Sequence, residues 1–508
     1  VTLSGSAPTL QIAGANYTVV NTLAALQAIG TDNTTLRANW ALGSDIDASA
    51  TAGWNGGAGF VPLGNAQSAA NYFGGRLEGF NHRISNLVVR RPEESYVGFI
   101  GYAAASASVR HLELTGVDVV GGLYTGGLIG YGNTGTSVQG VRVGGQVVAL
   151  TPTGSSAYVG LVAGLYYGTA ITASSSSGSV YSDSRHAYAG GLVGYMLYGG
   201  ISSSSSSASV SAVDEGSQNG RAGGLAGGFY GTSISDSSAS GAVRGTYYAG
   251  GLVGDFGGSG SIVNSSASGA VSDARSYAGG LVGYFYGNGG VATSFASGSV
   301  VSVGNSGHAG GLVGYYAGNG HVSDSAATGA VSSGYVAGGL IGEMYGYTNS
   351  RIQNSRASGD VTSSGYAAGG LVGQFYDYYS STGSGIAGSH ATGRVHGNNY
   401  SGGLVGYYLG YDGITGSHAT GAVTGGQTNT TLYIGGLVGY FYNYNSAGGG
   451  VVQSYAGGDV RLNDAALTSG RNVYAGGLVG YLDGGTVGQA GIVVTHDEKI
   501  IPTFRRIY

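Results

Sequence analysis

The chain has no cysteine among its 508 residues, and only 8% of them are charged. The missing thiols fit a chain exported unfolded through an outer membrane, where a premature disulfide blocks passage; cytosolic chains can lack cysteine too. An ordinary soluble domain is roughly 25% charged, so solubility here rests on Ser, Thr, Asn, Gly and Tyr. Lys and Arg number 19 against 24 Asp and Glu, a net charge of −5. That charge is too small and too dispersed for a nucleic-acid or anionic-membrane surface, so no nucleic-acid partner is expected. No apolar run reaches the ~20 residues that span a bilayer, so no membrane insertion is expected either. Helical repeats are excluded as well. With 106 Gly and no Ala, Leu, Glu and Lys at helical spacing, the propensity cost is prohibitive.

What the chain does have is a repeat. Versions of Tyr-x-Gly-Gly-Leu-Val-Gly-Tyr occur twelve times between Tyr124 and Tyr481, with the Leu at 128, 192, 225, 252, 281, 312, 340, 371, 404, 437 and 478, and Val162 in the remaining copy. Successive copies lie 27 to 41 residues apart, (478 − 128)/11 or about 32 on average. A unit kept at this period marks a solenoid, in which each unit buries its apolar face only by stacking on its neighbours. Such an array spreads similar residues along an axis instead of gathering unlike ones at a point, which argues against an enzyme.

A second block sits inside each unit. Ile262, Ser265, Ala267, Gly269 and Val271 stand at offsets 0, 3, 5, 7 and 9, and the units starting at Ile234, Ile352, Ile386 and Ile414 repeat them. Offsets 3 to 9 alternate with period two and share one face of a strand, while the step of three from Ile reads as a corner or bulge. Small inward residues imply that two walls of the coil approach closely. Earlier units use larger groups (Val138, Val141, Val143, Val147; Val109, Leu112, Leu114), so the cross-section is expected to narrow toward the C-terminal end. Val253, Val282 and Val313 are read as facing outward, alternating with buried Leu and forming an apolar stripe for self-association into fibres.

The resulting expectation is an all-β chain, a right-handed parallel β-helix of about 12 or more rungs with an N-terminal cap holding one short helix. Residues 1–100 are read as that cap and the first coils, 101–490 as the solenoid, and 491–508 as a C-terminal cap or the start of a further module. Asn21 to Gly30 carries the cap, helix and Gly stop; Asn39 to Asp47 reads as a strand entering a turn. The tail from Val493 carries His496, Asp497, Glu498, Lys499, Arg505 and Arg506, a charge density unlike that of the repeats. Val1-Thr2-Leu3-Ser4 lacks the basic start and apolar core of a signal peptide, so a processed chain or an excerpt is expected.

The Gly-Gly-Leu-Val-Gly units resemble the GLUG motif of very large bacterial surface proteins, including filamentous-haemagglutinin-like exoproteins of two-partner secretion. The segment Asn39 to Trp54, followed by Phe60-Val61-Pro62-Leu63-Gly64, is similar to the segment that precedes such repeats. The resemblance covers roughly residues 17 to 490. It implies a right-handed parallel β-helix, export to the surface of a Gram-negative cell, and roles in adhesion or biofilm matrix, with a glycan or protein receptor as partner. GLUG repeats also accompany some immunoglobulin-A metallopeptidases, which need His-Glu-x-x-His; this chain has no such string.

Catalytic and metal constellations are thin, and neither a catalytic residue, a metal nor a cofactor is expected. Asp45 and Asp47 stand two apart, as paired carboxylates of a polysaccharide-cleaving β-helix would, yet turn chemistry accounts for them. Asp255, Glu343 and Asp377 replace repeat residues singly and read as isolated exposed charges. His390 and His418 share an outer offset and are expected to stack, with no third ligand beside them. No Asp-rich nonapeptide array for calcium is present. Five sequons, at Asn16, Asn33, Asn264, Asn399 and Asn429, fall within what so Ser/Thr/Asn-rich a chain produces unselected.

Tyrosine is the richer signal, 40 against 11 Phe. Stacked rungs about 4.8 Å apart turn each recurrent position into a ladder. The candidate binding strip is Tyr195, Tyr284, Tyr286, Tyr315, Tyr316, Tyr407, Tyr408, Tyr440, Tyr442 and Tyr481. Offset-stacked rings stabilise rungs by about 0.5–1.5 kcal/mol a pair, and a wet phenol edge suits an exposed strip that docks sugar rings or another fibre.

Overall fold

The computed structural model describes residues 3, 9–65, 71–150, 156–213, 219–273, 275–346, 350–377, 384–426, 431–444, 449–462, 472–488 and 491–492. The readings of the tail from Val493 and of the Asn429 sequon lie outside these residues. The chain winds as a β-solenoid of parallel ladders. One sheet has 17 strands and two more have 13 strands each, so at ~4.8 Å per rung the longest sheet runs roughly 75 Å and the other two roughly 60 Å.

A typical coil holds five short strands. In one coil these are Ile262–Val263, Ser266–Ala267, Val271–Asp273, Tyr277–Gly279 and Val282–Phe285. Ser265, Ala267 and Val271 are buried, so the predicted parity of this block holds. In three early coils the second and third strands run together through the corner, as Glu113–Gly121, Arg142–Ala149 and Ser175–Ser182. Down this ladder the inward residue shrinks in register from Ile84 to Leu114, Val143, Ser176, Ser206 and Ala239, and then stays Ala as far as Ala456. The second Gly of each pair faces that Ala across the lumen: a Cβ on Gly311 would lie 2.8 Å from the Ala327 Cβ.

The step of three is a corner whose central residue is left-handed. Ala173, Ser203, Asp236, Asn264, Thr293, Asp324 and Asn354 hold φ between 49° and 51° or, for Thr293, 47°. That kink breaks the backbone ladder, and the buried serine next in sequence repairs it. The Ser325 hydroxyl donates to the Ser323 carbonyl at 2.7 Å and accepts the N–H of Ser294 at 3.1 Å. Ser204, Ser237, Ser265, Ser294, Ser355, Ser389 and Ser417 each accept the same bond from the preceding coil. Because Ser325→Ala leaves a buried N–H without an acceptor, it is expected to cost about 1–3 kcal/mol in chemical denaturation. An exposed control, Ser268→Ala, is expected to fall within about 0.5 kcal/mol of the parent.

Two readings are corrected here. Val253, Val282 and Val313 are fully buried, as are Leu252, Leu281 and Leu312. The reason is a second corner: the N–H groups of Leu252 and Val253 share one acceptor, the Leu281 carbonyl, at 2.8 and 3.0 Å, which resets the strand phase. The outward valine stripe does not exist, and the fibre argument built on it falls. The cap holds two short α-helices and a 3-10 segment at Ser49–Gly57, not one helix. Helix α1 (Leu23–Ala28) is capped by the Thr22 hydroxyl, and α2 (Asn33–Arg37) by Asp32, whose Oδ1 accepts from the Thr34 and Thr35 amides at 2.8 Å each. The capping box outweighs the poor helix propensity of Asn33-Thr34-Thr35. Before α1, strand Thr9–Ile12 pairs antiparallel with Ala15–Val20, which starts the Ile ladder and closes its first edge.

Candidate functional site

Two outward ladders run side by side on one face. The first takes the residue two before each Gly pair, in register through Tyr96, Tyr124, Tyr158, Tyr188, Arg221, Tyr248, Tyr277 and His308, and later Tyr400, Tyr433 and Tyr474. The second takes the residue after the pair's Leu-Val-Gly: Asp255, Tyr284, Tyr315 and Glu343, then Gln374, Tyr407, Tyr440 and Tyr481. Within a ladder the rings lie parallel, Tyr400 on Tyr433 at 5.0 Å and 4°, and Tyr407 on Tyr440 at 4.9 Å and 5°. Between ladders the contacts vary: Tyr433 meets Tyr440 edge to face at 5.3 Å and 87°, whereas Tyr277 and Tyr284 stack at 5.5 Å and 16°. Both geometries place the positive edge or offset face of one ring against the negative face of another. Burial, with Asp483 and Tyr481 nearby, pushes the Tyr440 phenol up to about 12. Burial raises Tyr195 and Tyr277 further, so these phenols remain uncharged hydrogen-bond donors.

Eight of the ten candidate tyrosines lie on this outer face or at its margin: Tyr195, Tyr284, Tyr286, Tyr315, Tyr407, Tyr440, Tyr442 and Tyr481. Tyr316 and Tyr408 do not, and the strip is corrected accordingly. Both are fully buried in a core stack with Phe285, Phe375 and Phe441, at centroid spacings of 4.7–4.8 Å. In a strand, the residue after an outward Tyr faces inward. Their hydroxyls are satisfied inside: Tyr316 donates to the Gly320 carbonyl and Tyr408 accepts from the Gly413 amide, each at 2.7 Å. Tyr102, Tyr124 and Tyr158 join the face although the sequence reading left them out of the candidate set; aligning every unit on its Gly pair would have found them.

The carboxylates that break the ladder are paired, not isolated and exposed: Asp255 is buried and Glu343 partly buried. Asp255 pairs with Arg221 at 3.3 Å, and Tyr230 donates to the same Oδ2 at 3.1 Å. Arg221 lies over the rings of Tyr188, Tyr247 and Tyr248 at 4.8–5.4 Å. Glu343 pairs with His308 at 2.7 Å. In both cases the basic side chain stands in the first ladder and the carboxylate one coil later in the second. Asp377, fully buried, accepts from the Ser384 hydroxyl at 2.5 Å. Burial pushes Asp255 up to about 6 against the pull of Arg221 and the Tyr230 hydrogen bond.

That shift has a sign. The unfolded chain releases this proton near 3.8 and the folded chain near 6, so folding takes up a proton in between. The group's contribution to stability is therefore greatest below about pH 4 and declines as pH rises through 6. The gap of about two pH units corresponds to roughly 3 kcal/mol. Denaturation of the parent and of Asp255→Asn between pH 3.5 and 6.5 checks it. The parent is expected to lose stability relative to the variant as pH rises, and parallel curves would refute it.

Asp45 and Asp47 are taken up by separate turns. Asp45 accepts from the Arg83 amide and pairs with His82, both at 3.0 Å; Asp47 holds Ser49 and Asn86 at 2.9–3.2 Å. These hydrogen bonds hold both carboxyls below the usual range. His390 and His418 stack at 4.9 Å and 1°, and Tyr455 continues the stack at 4.7 Å. Burial lowers both imidazoles. Among the described residues no group of three His, Asp or Glu side chains could hold a metal ion.

The GLUG motif matches residues 305–332. Halomucin of Haloquadratum walsbyi is 35% identical over 178 residues, which are 35% of this chain and 2% of halomucin; the chain thus spans a small fraction of that relative. A crystal structure described as a candidate immunoglobulin A1 protease from Bacteroides ovatus aligns at 15% identity over 86% of this chain and 84% of its own, with a TM-score of 0.21. Likeness that low carries no argument about activity. The matched segment is one coil of a stack whose other coils keep its register, so this chain is a β-solenoid that carries a GLUG motif at residues 305–332.

Proposed function

We propose that the chain is a stretch of a secreted or cell-surface rod that does no catalysis and makes contacts through its tyrosine face, in adhesion or in a biofilm matrix. The observation that carries this reading is the double ladder, which offers a largely aromatic surface along successive coils, interrupted by the Arg221–Asp255 and His308–Glu343 pairs. The likeness to part of halomucin supports a surface setting. Asp45 and Asp47, each committed to its own turn, give no support to the lyase or hydrolase alternative. The finer reading adds export by two-partner secretion from a Gram-negative cell and a glycan or protein receptor.

Beads carrying the chain are expected to attach to cells or isolated matrix. Attachment is expected to drop at least tenfold when Tyr284, Tyr315 and Tyr407 become Ala. Attachment indifferent to all three would sink the reading. Cleavage of acidic polysaccharides that vanishes in an Asp45→Asn, Asp47→Asn pair would replace it with the catalytic one.

A further inference from the structure

Tyr286 differs from the rings around it. It is 56% exposed, and the same ladder position holds Gly257 in the coil before and Ala317 in the coil after, as the backbone bonds from Gly257, Tyr286 and Ala317 to the coils beneath show. Tyr284 lies parallel to it at 6.4 Å and 11°, and the small neighbours in its own ladder leave space beside the ring. The result is a hollow of about 370 Å³ across three coils, floored by Gly257, Gly258, Gly287 and Ala317 and rimmed by Ser259, Asn288 and Asn319. The Asn319 amide donates to Asn288 Oδ1 at 3.0 Å, fixing both side chains at the rim. No charged residue lines the hollow.

We propose that this hollow is a subsite for one neutral pyranose ring, stacked on Tyr286 and hydrogen-bonded by Asn288, Asn319 and Ser259. The inference rests on the reading of the chain as a contact-making rod and names the class of ligand for one station of its face. A pyranose presents an apolar face of axial C–H groups, with slight positive charge, that fits the negative face of a phenol ring. Its equatorial hydroxyls are both donors and acceptors, which amides and a serine hydroxyl can match. A few convergent polar groups around an apolar floor are what fix the orientation of a small ligand. A uronate carboxylate would enter a site with no cation to pair it and would pay desolvation without return. One stacked ring with two or three hydrogen bonds corresponds to a Kd on the order of 1 mM.

The test is a titration of the whole chain with cellotriose, mannotriose, galactotriose and trigalacturonate, followed by saturation-transfer NMR. At least one neutral trisaccharide is expected to saturate the chain near the millimolar range, and trigalacturonate is not. Tyr286→Ala is expected to weaken that binding at least tenfold with an unchanged melting temperature, and Ala317→Tyr, which puts a second ring into the hollow, to weaken it similarly. Tyr198→Ala, at an exposed ring outside the hollow, should leave it intact. Failure of every neutral saccharide, equal binding of trigalacturonate, or full binding by Tyr286→Ala overturns the subsite. Bead attachment that persists without saccharide binding overturns the subsite alone. Saccharide binding at Tyr286 by a chain that attaches to no cell or matrix overturns the contact-rod reading alone.

Discussion

Replacing Gly329 with alanine is expected to break the rod locally. A Cβ there would lie 1.9 Å from the Gly298 carbonyl oxygen and 2.6 Å from its carbon, in the coil beneath. Nothing flexible stands in the way to move aside. The flanking pairs Ala296 with Ala327 and Val300 with Val331 pin the two coils on either side of the contact. The expected loss exceeds ~3 kcal/mol, in the range reserved for severe steric and backbone conflicts. Because a solenoid's stability is a sum of coil and neighbour terms, the damage should stay near the substitution. Hydrogen exchange is expected to accelerate in the coils around residue 329, while the coil holding Leu128 keeps its protection. Gly457→Ala is the control, since the nearest atom to its Cβ is the Thr420 methyl at 3.7 Å. Parent-like exchange in Gly329→Ala would show that the coils can separate and would discard the argument.

Phe285→Ala comes second. The Phe285 ring is fully buried between Phe256 at 4.7 Å and Tyr316 at 4.8 Å, each within 8° of parallel. Its removal deletes two stacked contacts and leaves a cavity inside a narrow lumen, for a cost of about 3–5 kcal/mol. The adjacent residue makes the comparison sharp, because Tyr286 points the other way and is mostly exposed. Tyr286→Ala is expected to stay within about 0.5 kcal/mol of the parent. Equal denaturation midpoints for the two variants would contradict the assignment of inner and outer faces.

These pairs show where the sequence was legible. Period-two alternation is intrinsic to a strand, so Ser265, Ala267 and Val271 could be turned inward from spacing alone. Parity cannot be carried past a corner. Counting from Leu252 put Val253 outside, because nothing in the letters announced that their two amides share one carbonyl. The same limit hid the inward turn of Tyr316 and Tyr408, where two aromatics stand in a row. The left-handed corners at Ala173, Ser203, Thr293 and Gln453 use residues with no turn signature; the register of the stack imposes them. The role of the corner serines also needed coordinates. Smallness was visible, but not that each hydroxyl supplies an acceptor to the coil before it. In the tyrosine face, the recurrent rings were read from the repeat, whereas Arg221 and Asp255, 34 residues apart, acquire a common purpose only once each is placed on its ladder.

The two ion pairs also bear on how such a chain can lengthen and shorten. Near-identical units invite slippage during copying, and most joints between coils here would tolerate the gain or loss of a unit, since Ala meets Ala and Val meets Val on both sides. Two joints would not. Losing the coil that carries Arg221 would leave Asp255 buried without its cation, and losing the one that carries His308 would take away the imidazole that pairs with the partly buried Glu343. A buried charge deprived of its partner costs about 3–5 kcal/mol. Copy number is therefore free along most of the rod and fixed at these two places, which act as keyed joints between otherwise interchangeable parts.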